Sequence, residues 1–208
     1  GFSTDFERTE AGFIDDSMYW QHGTLGDGTI LNDNCNTGND CWGTNIYDFD
    51  NDYTNDDSGS FDANLVSPAM EVDAAQPMAL FSSWHGLHYS QTGTTNPTNT
   101  FYDCGYVMVR NASSPTGFPP PESGLGWEHV PFKPGAGIGF GSGLYTVGFG
   151  SNQIRSCGSL TGADWALGGE LSGWAELELD LTDHAGRYVQ LKFVMEHNSG
   201  TGTPHNTT

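Results

Sequence analysis

Basic side chains are scarce in this 208-residue sequence: six Lys and Arg stand against 26 Asp and Glu, a formal net charge of −20. A chain so poor in cations lacks the groups that displace counterions from a phosphate backbone, so nucleic acid is not expected as a partner. The same deficit disfavours an anionic membrane surface. No run approaches the ~18 apolar residues of a membrane span, and no membrane insertion is expected. The amino terminus, GFSTDFE, has no basic then apolar leader and reads as a mature, processed form. Helical periodicity is nearly missing as well, because 29 Gly and 10 Pro interrupt the chain every few residues. A GxSxG elbow is lacking, and Ser142 and Ser151 sit in Gly runs without the required spacing. Carboxylates are too abundant for any one pair to indicate glycoside hydrolysis, and a non-enzymatic protein is expected.

What is present argues for a folded, acidic β protein. Six Trp, eight Tyr and twelve Phe supply a core that a disordered chain does not have. Clustered carboxylates repel one another, and a bound divalent cation offsets that repulsion most directly, which points to calcium. Cys35, Cys41, Cys104 and Cys157 make an even set with no CxxC pair, which fits two disulfides in an oxidising, extracellular setting better than zinc. Pairing Cys35 with Cys41 closes a small loop and constrains the unfolded chain by about 2 to 3 kcal/mol. Cys104 with Cys157 then ties the middle of the chain to a sheet.

Strand signals are clear. From Glu176 to Leu181 the residues alternate, with Leu177, Leu179 and Leu181 on one face and Glu176, Glu178 and Asp180 on the other. From Tyr188 to Glu196, Val189, Leu191, Phe193 and Met195 share a side, and this segment reads as a hairpin partner after the turn at Asp183 to Gly186. Further strands are expected within Gly43 to Tyr47, Asn64 to Ser67, Pro77 to Leu87 and Gly105 to Arg110. Short strands between Gly, Asn, Asp and Pro clusters predict an all-β, antiparallel β-sandwich of jelly-roll type forming a single domain over residues 1–208. Residues 111–173 form a long Gly/Pro-rich excursion, an insertion or packing arm. In it Gly137, Gly139, Gly141 and Gly143 share one face of an extended strand opposite Ile138, Phe140 and Leu144. Residues 197–208 are a polar tail.

Asp48, Asp50 and Asp52 alternate in YDFDNDYTNDDSG and are followed by Asn55, Asp56 and Asp57. Hard oxygen ligands in a pliable loop suit Ca2+, although the loop is no EF-hand: Tyr53 and Gly59 stand where Gly and Glu are required. His85 and His88 lie three apart, which in a strand points them to opposite faces, so neither they nor Glu196 beside His197 indicate zinc. Asn111 and Asn206 open sequons for N-glycosylation, and GTTNPTNT is a candidate for O-linked sugar. Trp127, Trp165 and Trp174 are candidates for stacking on a glycan. Trp174 opens a strand and is expected in the core, whereas Trp127, amid Gly and Pro, is the best surface candidate.

Several segments run in the order of a known family: DFE at Asp5 to Glu7, Tyr19 and Trp20, CWGTN at Cys41 to Asn45, LVSPAMEV at Leu65 to Val72, FSSWHG at Phe81 to Gly86, DCGYVMV at Asp103 to Val109, and DLTDHAGRYVQLKF at Asp180 to Phe193. Together they resemble the MAM-like adhesion β-sandwich of immune inhibitor A-like secreted peptidases and bacterial cell-surface proteins. The resemblance implies a cation near Glu7 and Asp103. It covers neither the excursion nor the closing strand of the family, for which this chain has NSGTGTPHNTT instead. A sandwich without its last strand has an open edge, filled by another chain or by the Gly-rich arm folding back. Two functions are therefore expected to compete: a structural subunit that self-associates into a fibre or surface assembly, and an accessory module that binds glycan or protein.

Overall fold

Alternating sequences become strands because successive side chains of an extended backbone point to opposite faces. The structure, a computed structural model, describes residues 2–7, 9–16, 20–24, 35–44, 61–83, 89–92, 98–101, 103–130, 145–148, 165–168 and 174–197. Its strands are β1 (Ile14–Asp15), β2 (Trp20–Thr24), β3 (Asp40–Thr44), β4 (Phe61–Val66), β5 (Met70–Glu71), β6 (Met78–Ser83), β7 (Tyr89–Thr92), β8 (Thr98–Phe101), β9 (Asp103–Ala112), β10 (Glu128–His129), β11 (Tyr145–Gly148), β12 (Trp165–Gly168), β13 (Ala175–Asp180) and β14 (Tyr188–His197). Among the described residues the helical pieces are short 3-10 turns at Pro121–Ser123 and Thr182–His184. The protein is all-β, and among the described residues every strand pairing is antiparallel.

Among the described residues the largest sheet has eight strands in the order β1-β4-β14-β9-β12-β11, with β10 also on β9 and β5 also on β14. Its spine is the pair β9 and β14, in register from Tyr188 opposite Ala112 to His197 opposite Asp103. Three two-stranded ribbons accompany it: β13 with β6, β2 with β3, and β7 with β8. β13 therefore pairs with β6, Leu179 opposite Ala79, and the hairpin expected between Glu176–Leu181 and Tyr188–Glu196 does not form. The turn between them carries the chain from one sheet to the other, so the two Leu- and Val-bearing faces meet across a core. That core contains Leu177, Leu179 and Leu181 from the ribbon side, with Val107, Val109, Val189 and Leu191 from the large sheet.

Ser67 and Pro68 separate β4 from β5. Proline has no N–H for the ladder, and at this break the Ser67 hydroxyl stands in for a ladder carbonyl by accepting the Leu191 N–H at 2.8 Å. The Ser67 N–H in turn donates to Leu191 O at 2.8 Å, so β14 changes partner strand without leaving its amide unpaired.

The excursion expected at residues 111–173 contributes β10, β11 and β12 to the large sheet. β12 meets β9 at Leu167 opposite Gly105, where a side chain at 105 would stand in ordinary contact with Leu167. The face drawn by Gly137, Gly139, Gly141 and Gly143 lies outside the described residues, as does the 198–208 part of the polar tail. Trp174 is a correction: it precedes β13 and is 37% exposed, because the core beneath β13 is filled by leucines and leaves no place for an indole.

Candidate functional site

The face of the β9–β14 spine turned away from the core collects polar side chains. Register places Arg110 opposite Gln190, Met108 opposite Lys192, Tyr106 opposite Val194 and Cys104 opposite Glu196. Arg110 is only 2% exposed. Its Nε and Nη2 donate to Gln190 Oε1 at 3.0 and 2.7 Å, and Nη2 and Nη1 donate to Pro119 O and Pro120 O at 2.7 and 3.3 Å. A guanidinium is suited to this task because its fixed fork reaches several acceptors in one plane. The contacts fasten the Pro-rich start of the excursion over the sheet.

Trp127 completes this cover. The Arg110 Cζ lies 4.4 Å from its ring centroid and the Lys192 Nζ 4.9 Å, both within cation–π range. Phe118 adds a third ring 5.6 Å from the guanidinium carbon. Two of the six basic residues of the chain thus converge on one half-buried indole, whose Nε1 is buried with no hydrogen-bond partner among the described residues. Burial holds the Lys192 ammonium below the ordinary lysine value of 10.5, opposed by Asp16, reinforced by Arg110 and opposed again by Asp62.

That direction carries a pH expectation. With the folded pKa depressed, the burial penalty is present in full below the folded pKa. It is relieved as pH rises through that value towards 10.5, where the unfolded chain still holds the proton. Wild type is therefore expected to gain stability relative to Lys192→Met as pH rises through the depressed folded pKa towards 10.5, read from urea unfolding of both proteins. A difference that stays flat with pH would contradict the assigned cause.

Along the same face Glu196 is 7% exposed and accepts a 2.5 Å hydrogen bond from the Tyr106 hydroxyl. It is held in the sheet as a satisfied buried carboxylate. His184, also buried, lies 3.5 Å from Glu128 through Nε2 and 3.4 Å from the Asn111 side-chain nitrogen through Nδ1. Asn111 is exposed near the end of β9, and its Oδ1 accepts from Arg187 at 3.1 Å, so the sequon sits at the surface within a polar cluster.

A second cluster forms where the amino-terminal segment meets the Cys35–Cys41 loop. Cys35 and Cys41 are at disulfide distance with Cα atoms 5.8 Å apart, and the short loop turns the N–H groups of Asn39 and Asp40 outward. The Glu7 carboxylate accepts both, from Asn39 at 2.8 and 3.0 Å and from Asp40 at 3.2 Å. His22 bonds Phe6 O at 2.8 Å, and Phe6 takes a left-handed φ of 63° beside it. Phe6 packs edge-on to Phe13, which in turn reaches Phe193 of β14. Asn36 fixes the loop to β6 by donating to Ser82 Oγ at 2.8 Å.

Gly38 is the position on which this arrangement depends. Its φ is +70°, and a Cβ there would fall inside the Glu7 carboxylate. Gly38→Ala is expected to expel Glu7 and cost about 2 kcal/mol, from left-handed strain together with the lost charge-assisted bonds. Chemical unfolding checks the magnitude, and faster proteolysis near Glu7 checks the cause.

The expected site residues are thus distributed unevenly. Glu7 is bound to backbone amides, while Asp103 starts β9 opposite His197. Cys104 is buried and disulfide-bonded. Asp48, Asp50, Asp52, Asp56 and Asp57 lie outside the described residues, as do Cys157, Asn206, His85 and His88. Among the described residues no three His, Cys, Asp or Glu side chains gather as a metal ion requires. Arg110, Lys192 and Glu196 were not legible as a group, because only strand register puts them on one face; the alternation of β14 was the signal available. No protein-family model matches this chain, and no curated protein or solved structure matches it either.

Proposed function

We propose that this chain is a non-enzymatic, extracellular, calcium-binding β-sandwich of the MAM-like kind that self-associates into a fibre or surface assembly. The observation that carries the reading is the fate of the excursion. Among the described residues its strands extend the large sheet and end it on β11, within a stretch, residues 134–154, that holds no Asp, Glu, Lys or Arg. An uncharged edge strand is the kind that pairs with another chain, since edges that stay solitary are guarded by charge, proline or bulges. The disulfide-distance pair Cys35–Cys41 agrees with an oxidising compartment.

Calcium belongs to the same reading through the Asp48 to Asp57 segment, which immediately precedes β4 in the chain. Neutralising those carboxylates lowers the repulsion between copies that each carry a formal charge of −20. Light scattering and electron microscopy of the purified protein, in calcium and then in excess chelator, test this directly. Ordered polymers that loosen in chelator are expected, and a monomer under both conditions would overturn the reading.

A second reading, an accessory module that binds glycan or protein, is favoured by Trp127, a half-buried indole set over Arg110 and Lys192. It predicts retention on a glycan array that Trp127→Ala abolishes.

A further inference from the structure

Residues 2–7 form a strap that reaches the body of the protein through a few side-chain contacts, and we propose that copies exchange it, the strap of one molecule docking on the Cys35–Cys41 loop of the next. This rests on the self-association reading above and names a contact through which copies join.

The strap has no ladder. Residues 2–7 belong to no strand, and among the described residues they make no backbone-to-backbone hydrogen bond to any other segment. The bonds within the strap, from the Phe6 N–H to Thr4 Oγ1 and from the Glu7 N–H to Asp5 Oδ1, shape it without fastening it. Its anchors are the Glu7 carboxylate on the Asn39 and Asp40 N–H groups, the Phe6 carbonyl on His22, and the Phe2 and Phe6 rings on Phe13. All the receiving groups lie from Phe13 onward, so a second copy presents the same set.

The join between strap and body is strained. Glu10 to Phe13 make a tight turn closed by the Phe13 N–H on Glu10 O at 2.9 Å, with φ of 52° at Ala11 and 77° at Gly12. Positive φ at both central residues is the pattern of a type I′ turn, which suits Asn-Gly and ordinarily joins two paired strands. Here the first central residue is Ala, whose Cβ resists the left-handed region, and the turn leads from β1 back to a segment without a strand partner. Among the described residues, Phe6 and Ala11 are the non-glycine residues with positive φ, so backbone strain gathers on both sides of Glu7. The strain at Phe6 is held by the anchors at Phe6 O and Glu7 and is remade wherever the strap docks. The strain at Ala11 belongs to the closed turn alone.

Opening that turn releases its strain and carries the strap away from its own loop, and every anchor is then remade on a neighbour. Exchange of an identical element costs little for this reason, and a short strained hinge favours it. The receiving loop is specific for its occupant. Closure by Cys35 and Cys41 presents the Asn39 and Asp40 N–H groups to one carboxylate, and at Gly38 even a Cβ would fall inside that carboxylate. A strap passed from each copy to the next is a heterologous contact, which propagates as a filament when its rotation does not close.

Mixing complementary full-length variants tests the exchange. Glu7→Ala has an impaired strap and an intact loop, whereas Gly38→Ala has an intact strap and an impaired loop. Trypsin cleavage after Arg8 reads docking, and the two released peptides differ in mass because only one carries Glu7. Each variant alone is expected to be cut quickly. In an equimolar mixture in calcium, cleavage of the Gly38→Ala strap is expected to slow about tenfold, because it docks on the intact loop of the Glu7→Ala copy. The Glu7→Ala strap stays open, and protection of the other shows that both variants fold. Unchanged cleavage on mixing would overturn the proposal, since Glu7 would then dock only within its own chain. Ala11→Asn supplies the Asn-Gly pair that the closed turn prefers, and it is expected to lower the apparent association constant about fivefold. Light scattering in which Ala11→Asn assembles as wild type does would overturn the strap as the joining contact while leaving self-association standing. A wild type that stays at 22.4 kDa in calcium would overturn the broader reading and this one together.

Discussion

Arg110→Ala is expected to lower the unfolding free energy by about 4 kcal/mol, the largest loss from any single outward-face residue of the spine. The side chain is 2% exposed and serves Gln190 and the carbonyls of Pro119 and Pro120 together. Truncation leaves several acceptors in a poorly solvated place without a donor, each costing about 1 to 3 kcal/mol, and removes the cation beneath Trp127. The void adds to the loss, since the strand pair beneath cannot collapse into it. Arg110→Lys is expected to recover little, because a single ammonium cannot reach the Gln190 oxygen and two proline carbonyls in one plane. Urea titration followed by tryptophan emission reads both effects: the midpoint falls, and the indole signal changes even below the transition. An unchanged midpoint in Arg110→Ala would mean that the 113–127 segment holds to the sheet by other contacts.

Leu179→Ala is expected to cost about 3 kcal/mol, with Leu80→Ala on the paired strand within about 0.5 kcal/mol of wild type. Leu179 has no exposed surface and sits between the β6–β13 ribbon and the large sheet, in the cluster with Val107, Val109 and Leu191. Leu80 stands on the other face of the ribbon, opposite Glu178 and 54% exposed. The two substitutions remove the same atoms, so their difference measures burial alone. Thermal or urea unfolding of both variants decides it, and equal losses would mean that the outer face of the ribbon is covered in solution.

Much of this architecture was legible because it depends on short-range order. The alternation of Glu176 to Asp180 identified β13 and its buried face, and Leu177 and Leu179 are indeed fully buried. Likewise Val189 and Leu191 of β14 face the core, with Phe193 and Met195 packed against it. The Cys35–Cys41 pair followed from their closeness in the chain. Short elements were harder to read: β2, β7, β8 and β10 carry too few residues for a period of two to rise above composition.

By itself, the sequence determined the all-β class, the inward faces of β13 and β14 and the small disulfide loop, since each follows from side-chain alternation or from neighbours in the chain. Only the tertiary structure decided that β13 and β14 belong to different sheets, that the excursion adds strands to the spine, that Arg110 is buried beneath Trp127 and that Glu7 is held by the amides of Asn39 and Asp40. The physical reason is common to all four. Each depends on pairing between residues distant in sequence, and the register of that pairing is set by which faces can be buried together, a property of the assembled sheets and not of any one segment.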